Sequence, residues 1–279
     1  MILHSSSIRH LLHILGLALP LALTACAGED FTSFQGEEAI AEGPSAEFAL
    51  STFRPTPIVS HAQLKAALVN ARSQANGGFD LDMWATVVDR EGVVVAVAFT
   101  GPFVDSQWPG SRVISAQKAN TANAFGLDGL SLATANLFSA VQPGQSLFGL
   151  QESNPVDVAV AYGGNAANYG TPRDFMVGRK IGGVNVFGGG LALYDEAGQI
   201  IGGLGVSGDS SCADHNIAWR TRDFLKLDFV PGGVAPDGTD NIIYDITDGV
   251  SAGGFGHPEC SAAATQIGEA LPTTNPLDD

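Results

Sequence analysis

Residues Gly188–Ala218 read GGGLALYDEAGQIIGGLGVSGDSSCADHNIA. Two apolar runs, Leu191–Tyr194 and Gln199–Val206, flank Asp195-Glu196-Ala197-Gly198. A tight-turn sequence between apolar runs predicts a β-hairpin. The chain leaves it through Gly205-Val206-Ser207-Gly208-Asp209 and enters a helix rich in serine and small residues. Glycines at 188, 189, 190, 202, 203, 205 and 208 strip side chains from the hairpin. Glycine weakens a strand unless a ligand or another backbone comes close, so something approaches this hairpin.

The pattern extends outward on both sides. Ser60-His61-Ala62-Gln63 is a capping-box sequence, and Leu64, Ala67, Leu68 and Ala71 share one face, which predicts a helix to about Gln74. Trp84–Val88 and Val93–Phe99 predict a second hairpin around Asp89-Arg90-Glu91-Gly92. Arg112–Phe125 reads as a helix with a small-residue face, and Leu130–Val141 as another. Val184–Phe187 and Asn241–Ile246 read as strands, and Ser211–Leu225 as a helix. Hairpins dominate, so the fold class is α+β, a mostly antiparallel sheet flanked by helices.

The chain starts MILHSSSIRHLLHILGLALPLALTAC, a weakly basic start and a short apolar run followed by a Leu23-Thr24-Ala25-Cys26 box. That is the form of a secretory signal (residues 1–25) with lipidation at Cys26. The expected location is exported and membrane-anchored, on the periplasmic face of the outer membrane in a cell with two membranes. Residues 26–50 read as a flexible acidic stalk, 51–260 as the domain with an insertion near 127–182, and 261–279 as a polar tail. The formal charge of −16 excludes nucleic acid as a partner. With Cys26 lipidated, Cys212 and Cys260 remain, and an oxidising compartment makes a disulfide their default state. No CxxC is present to suggest a cysteine metal site.

Several blocks in order resemble the GlcG/HbpS-like haem-binding family. They are Ala85-Thr86-Val87-Val88-Asp89 with Gly92, Ser115-Ala116-Gln117-Lys118-Ala119-Asn120-Thr121-Ala122, Gly188-Gly189-Gly190, and Ile201–Gly208 followed by Asp214 and Ala218. The likeness runs from about Val59 to Trp219. It implies a profilin-like fold with an antiparallel sheet between helices, large homo-oligomers, and haem bound between subunits in some members; some members are described as haem-degrading or redox-sensing. The chain departs from that pattern by its long insertion before Gly188 and its extension beyond Trp219.

Haem needs an apolar slot, an axial ligand and partners for two propionates. His215, just past the glycine-rich hairpin (188–208), is the first axial candidate. His257, drawn near by a Cys212–Cys260 bond, is the second. Met83, Met176, Tyr162 and Tyr169 are weaker ones, and His61 is expected to face solvent. Lys118 either meets a propionate or pairs internally with an acid such as Asp89. Arg112 is a further candidate for a propionate, with a surface role as the alternative. Ser207 sits in a sequence that departs from the G-x-S-x-G elbow at Asp209, so a capping turn explains it better than a nucleophile. Asp209, Asp214, His215 and His257 match no metal motif. Without CxxCH, any haem is held non-covalently. Three readings follow: a lipid-anchored haem or tetrapyrrole binder, an enzyme using the same pocket to degrade haem or act on another small molecule, and a cofactor-free structural or sensory envelope protein.

Overall fold

The computed structural model describes residues 58–278, so the expected signal segment, Cys26 and the expected stalk lie outside the described residues. Helix α1 (His61–Arg72) starts on the expected capping box: Ser60 Oγ accepts the Gln63 amide, and Gln63 Oε1 accepts the Ser60 amide at 2.9 Å. Strands β1 (Trp84–Asp89) and β2 (Val94–Phe99) form the first hairpin. Its turn is closed by the Asp89 carboxylate, which accepts the amides of Glu91 and Val93. Helix α2 (Ser111–Phe125) follows, then the single turn α3 (Val158–Ala161). Strands β3 (Gly190–Tyr194) and β4 (Ile200–Ser207) form the second hairpin, and α4 (Ser211–Leu225) starts where it was expected. A two-stranded ribbon, β5 (Ile246–Thr247) and β6 (Val250–Ser251), precedes α5 (Ala262–Thr274).

The main sheet is antiparallel throughout, in the order β2-β1-β4-β3. The α+β expectation is met, and the alternation of the strands decides the two layers. On one face, Ala85, Val87, Leu204, Val206, Leu191 and Leu193 pack with Leu64 and Leu68 of α1 and Ile217 and Ala218 of α4. On the other, Trp84, Val88 and Val97 pack with Val113, Ala116 and Ala119 of α2 and with Met176 and Ile181 of the insertion. Each fully buried leucine or valine here contributes about 1.5–3 kcal/mol.

The visitor that the glycines announced is α2 itself. A Cβ at Gly205 would lie 1.9 Å from the Ser115 carbonyl oxygen, and one at Gly203 would lie 2.3 Å from that of Ala119. Side chains on that face of β4 would hold the helix off the sheet. Gly188 is pressed in the same way against α4, with the Ser211 oxygen 2.4 Å from its missing Cβ.

Three expectations fail for one reason, tertiary hydrogen bonding. Leu130–Val141 is not one helix but two 3₁₀ turns, Thr134–Leu137 and Ser139–Val141. Its polar residues reach distant partners: Ser131 Oγ bonds Asp240 Oδ2 at 2.7 Å, and Asn136 Nδ2 donates to the Asn241 oxygen at 3.0 Å. Asn241–Ile246 makes no ladder except at its last residue, because Asn241 is drawn to the Gly268 oxygen and to His215. Val184–Phe187 runs outside the ladder, with the Asn185 amide on Thr121 Oγ1. Nor is 261–279 merely a polar tail. Ser261 caps α5, which packs on α4 through Asn216 Nδ2 to the Ala264 oxygen and Trp219 Nε1 to the Asn275 oxygen.

Candidate functional site

A cavity of about 450 Å³ opens where the first turns of α2 and α4 meet the end of β4 and the 185–187 segment. Trp108, Ile114 and Phe187 give it apolar walls; Ser207 stands beside them, and Lys118 and Asp214 form the polar floor. Lys118 and Asp214 are both buried. Lys118 Nζ lies 2.7 Å from Asp214 Oδ2 and 3.1 Å from the Val206 oxygen. The other carboxylate oxygen of Asp214 accepts the Asp209 amide at 2.8 Å. Burial pushes the Asp214 carboxyl up to about 6, against the pull of Lys118. The floor therefore holds a cation beside an acid that exchanges its proton near neutrality.

Lys118 thus finds an internal acid, but a different one from that expected. Asp89 is committed to its hairpin turn, and the partner is Asp214. Asp214 lies 96 residues away in sequence, so no local spacing signals the pair. Ser207 lies on the wall, and none of the described histidines hydrogen-bonds it.

Arg112 is not available to a propionate. Its Nε and Nη2 donate to Asp174 at 2.9 and 2.5 Å, and its Nη1 donates to the Ala161 oxygen at 2.6 Å. The guanidinium also lies 3.6 Å over the Tyr169 ring. These bonds clamp the 161–174 segment onto α2.

His215 is wholly buried and turned toward the C-terminal extension, with Nε2 3.0 Å from Asn241 Oδ1 and 3.2 Å from the Ile242 amide. Burial pushes its pKa down to about 4. Residues 241 and 242 occupy the Nε2 side, and Nδ1, though without a hydrogen-bond partner, is buried, so neither ring nitrogen is open to an iron. His257 is also buried, and the Cys212–Cys260 disulfide does place it beside the first turn of α4. Its Nε2 lies 3.2 Å from Ser211 Oγ, and burial pushes its pKa down to about 4. Met83 and Met176 are core residues, Tyr162 is exposed and outside the cavity wall, and His61 is half-buried, with Nε2 2.9 Å from the Gly170 oxygen.

The lining fits part of haem. It supplies an apolar slot, and Lys118, paired with Asp214 at the floor, becomes a cation for a carboxylate when Asp214 is neutral. It carries no histidine, cysteine, methionine or tyrosine to ligate iron. Trp108, Ile114 and Phe187 had no sequence signal as wall residues; only the fold brings them together.

A family model described as haem degrading protein HbpS-like matches residues 59–222, more than half of the chain. No curated protein matches. Among solved structures, a PduOC–haem complex is 25% identical, covering 61% of this chain and 94% of its own, with a TM-score of 0.42. The Klebsiella pneumoniae protein ORFY is 26% identical, covering 60% and 90%, with a TM-score of 0.40. HbpS is 17% identical, covering 58% and 86%, with a TM-score of 0.38.

Proposed function

Because the chain belongs to the HbpS-like family of haem-degrading proteins, we propose that it binds haem or a related tetrapyrrole, non-covalently, in the cavity floored by Lys118 and Asp214. The observation that carries this reading is a buried lysine at the base of an apolar cavity inside the family segment. Trp108, Ile114 and Phe187 would hold a flat apolar ring. Lys118 would take a carboxylate, with Ser207 at the rim. The site stands at the end of the glycine-rich hairpin, since α2 covers the hairpin's glycine face.

Bound haem would supply its iron for redox chemistry; this cavity recognises the ring and its carboxylates. The open mouth suits completion by a second copy in a homo-oligomer. Export, the lipid anchor at Cys26 and placement at the outer membrane complete the proposal and rest on residues 1–26.

A second reading, turnover of haem or another small molecule, is favoured by one observation. The Asp214 carboxyl, at about 6, stands beside an ammonium in an apolar pocket, which suits proton transfer.

The test is a hemin titration of the purified chain, followed in the Soret region. A saturable, stoichiometric band is expected. Lys118→Met made together with Asp214→Asn leaves no carboxylate alone and should weaken binding roughly 10–100-fold, the value of a charged hydrogen bond. A spectrum no different from that given by an unrelated acidic protein would overturn the proposal and favour a cofactor-free role. Loss of the band with oxygen and a reductant would favour turnover.

A further inference from the structure

Cys212 is the second residue of α4, Cys260 directly precedes the Ser261 cap of α5, and His257 lies three residues before Cys260. The fold gathers the three so that their ligand atoms lie within 4.8 Å of one another. Cys212 lies inside the family segment, whereas His257 and Cys260 lie beyond it, so two of the three members belong to the extension of this chain.

Its geometry is specific. The His257 Nδ1 lies 2.8 Å from the Pro258 carbonyl oxygen, which can only accept, so Nδ1 carries the proton. Nε2 then keeps its lone pair, on the side of Ser211 Oγ at 3.2 Å. The same Oγ lies 3.5 Å from Cys260 Sγ, which places nitrogen and sulfur around one small space. A backbone carbonyl holding the far ring nitrogen is the usual way a ligating histidine is oriented. The Cys212 amide, in the first turn of α4, donates to Cys260 Sγ at 3.2 Å. A helix-start amide favours a thiolate on that sulfur. Cys260 is exposed, so a reductant can reach it.

We propose that Cys212, His257 and Cys260 form a redox-gated site that binds a zinc-like divalent cation once the disulfide is reduced. A dithiol reductant breaks the S–S bond, giving two electrons and two protons to form two thiols while its own sulfurs join. The cation then displaces both thiol protons to solvent and takes two thiolates and Nε2. Tetrahedral zinc, with bonds of about 2.3 Å to sulfur and 2.0–2.1 Å to nitrogen, sets its donors roughly 3.5–3.8 Å apart. The sulfurs, held at bonding distance in the disulfide, must separate on reduction to reach that spacing, and all three ligand atoms already lie within 4.8 Å of one another. Three protein ligands leave a fourth position for water. No CxxC announces the site, because its ligands come from two separate segments.

The test is equilibrium dialysis of the full chain against zinc, oxidised and after reduction with a phosphine, with cobalt(II) as the probe of thiolate ligation. The oxidised chain should hold no zinc and the reduced chain one ion. His257→Gln should still form the disulfide, and should weaken zinc binding by the reduced form by at least about 10–100-fold, the cost of losing even an outer-shell partner. Circular dichroism reports whether the reduced chain keeps its fold. Three results would each overturn the proposal: equal zinc uptake in both states, full affinity in His257→Gln, or unfolding on reduction that zinc does not reverse. None depends on whether hemin binds.

Discussion

Gly205→Ala separates two uses of a glycine-rich strand, seating a helix or admitting a ligand. The added Cβ would stand 1.9 Å from the Ser115 oxygen and 2.4 Å from the Ala119 nitrogen, both backbone atoms of α2. Contact distances of about 3.5 Å require α2 to retreat by roughly 1.5 Å. No rotamer change relieves the clash, and the retreat lifts Ala116 and Ala119 from Trp84 and Val88. Overpacking costs typically 1–3 kcal/mol, and a backbone clash belongs at the upper end, about 3 kcal/mol. Better strand propensity returns only about 0.5–1 kcal/mol. For a domain of this size the net loss lowers Tm by roughly 4–10 °C. Urea and thermal unfolding by circular dichroism measure it, with Gly129→Ala as the control, since nothing lies within 4 Å of that position. A Gly205→Ala chain as stable as the parent but unable to bind hemin would refute the argument and return the glycine face to a ligand.

Two further outcomes are expected. Asp214 is held at about 6, above its ordinary 3.8, so the fold favours its neutral form. Its contribution to stability is fully present below 3.8 and is lost as pH rises through about 6. In the neutral form the charge of Lys118 is left to a ligand, so porphyrin affinity should rise as pH falls from 7.5 to 5.5, by at most about tenfold per unit. Fluorescence-quenching titrations at each pH check this, and an affinity that climbs with pH contradicts it. Arg112→Ala strands the buried Asp174 carboxylate and should cost about 3–5 kcal/mol, read from the urea midpoint. Unchanged stability would mean that Arg112 is not the clamp.

What the sequence disclosed about the fold is what local chemistry decides. Ser60 with Gln63 sets the start of α1, and the turn sequences at Asp89–Gly92 and Asp195–Gly198 set the two hairpins. The ordered family blocks supplied their arrangement. Elements held by distant bonds stayed hidden. Nothing in Leu130–Val141 says that Ser131 and Asn136 bond to residues 240 and 241 instead of lying on a helix. Pro272 and small residues masked α5. The site was half legible. Lys118 and Ser207 do line a cavity, but the acid that meets Lys118 and the acid that absorbs Arg112 both come from far along the chain. His215 looked available because the segment that covers it, 241–242, carries no motif.

The strand order also sets how the molecule comes together. Each hairpin closes on its own short turn, a microsecond event. The seam between them pairs β1 with β4, Trp84 opposite Ser207, across more than a hundred residues of chain. Long-range pairing of this kind slows folding, since the closure entropy is spent before any contact rewards it. Until the seam forms, four strand edges stand unpaired, and α2 has no complete floor to lie on. A chain delivered N-terminus first holds β1 and β2 as an open ribbon through the whole insertion. The passage from two ribbons to one sheet is therefore the step in which this protein is most exposed to aggregation and to proteases.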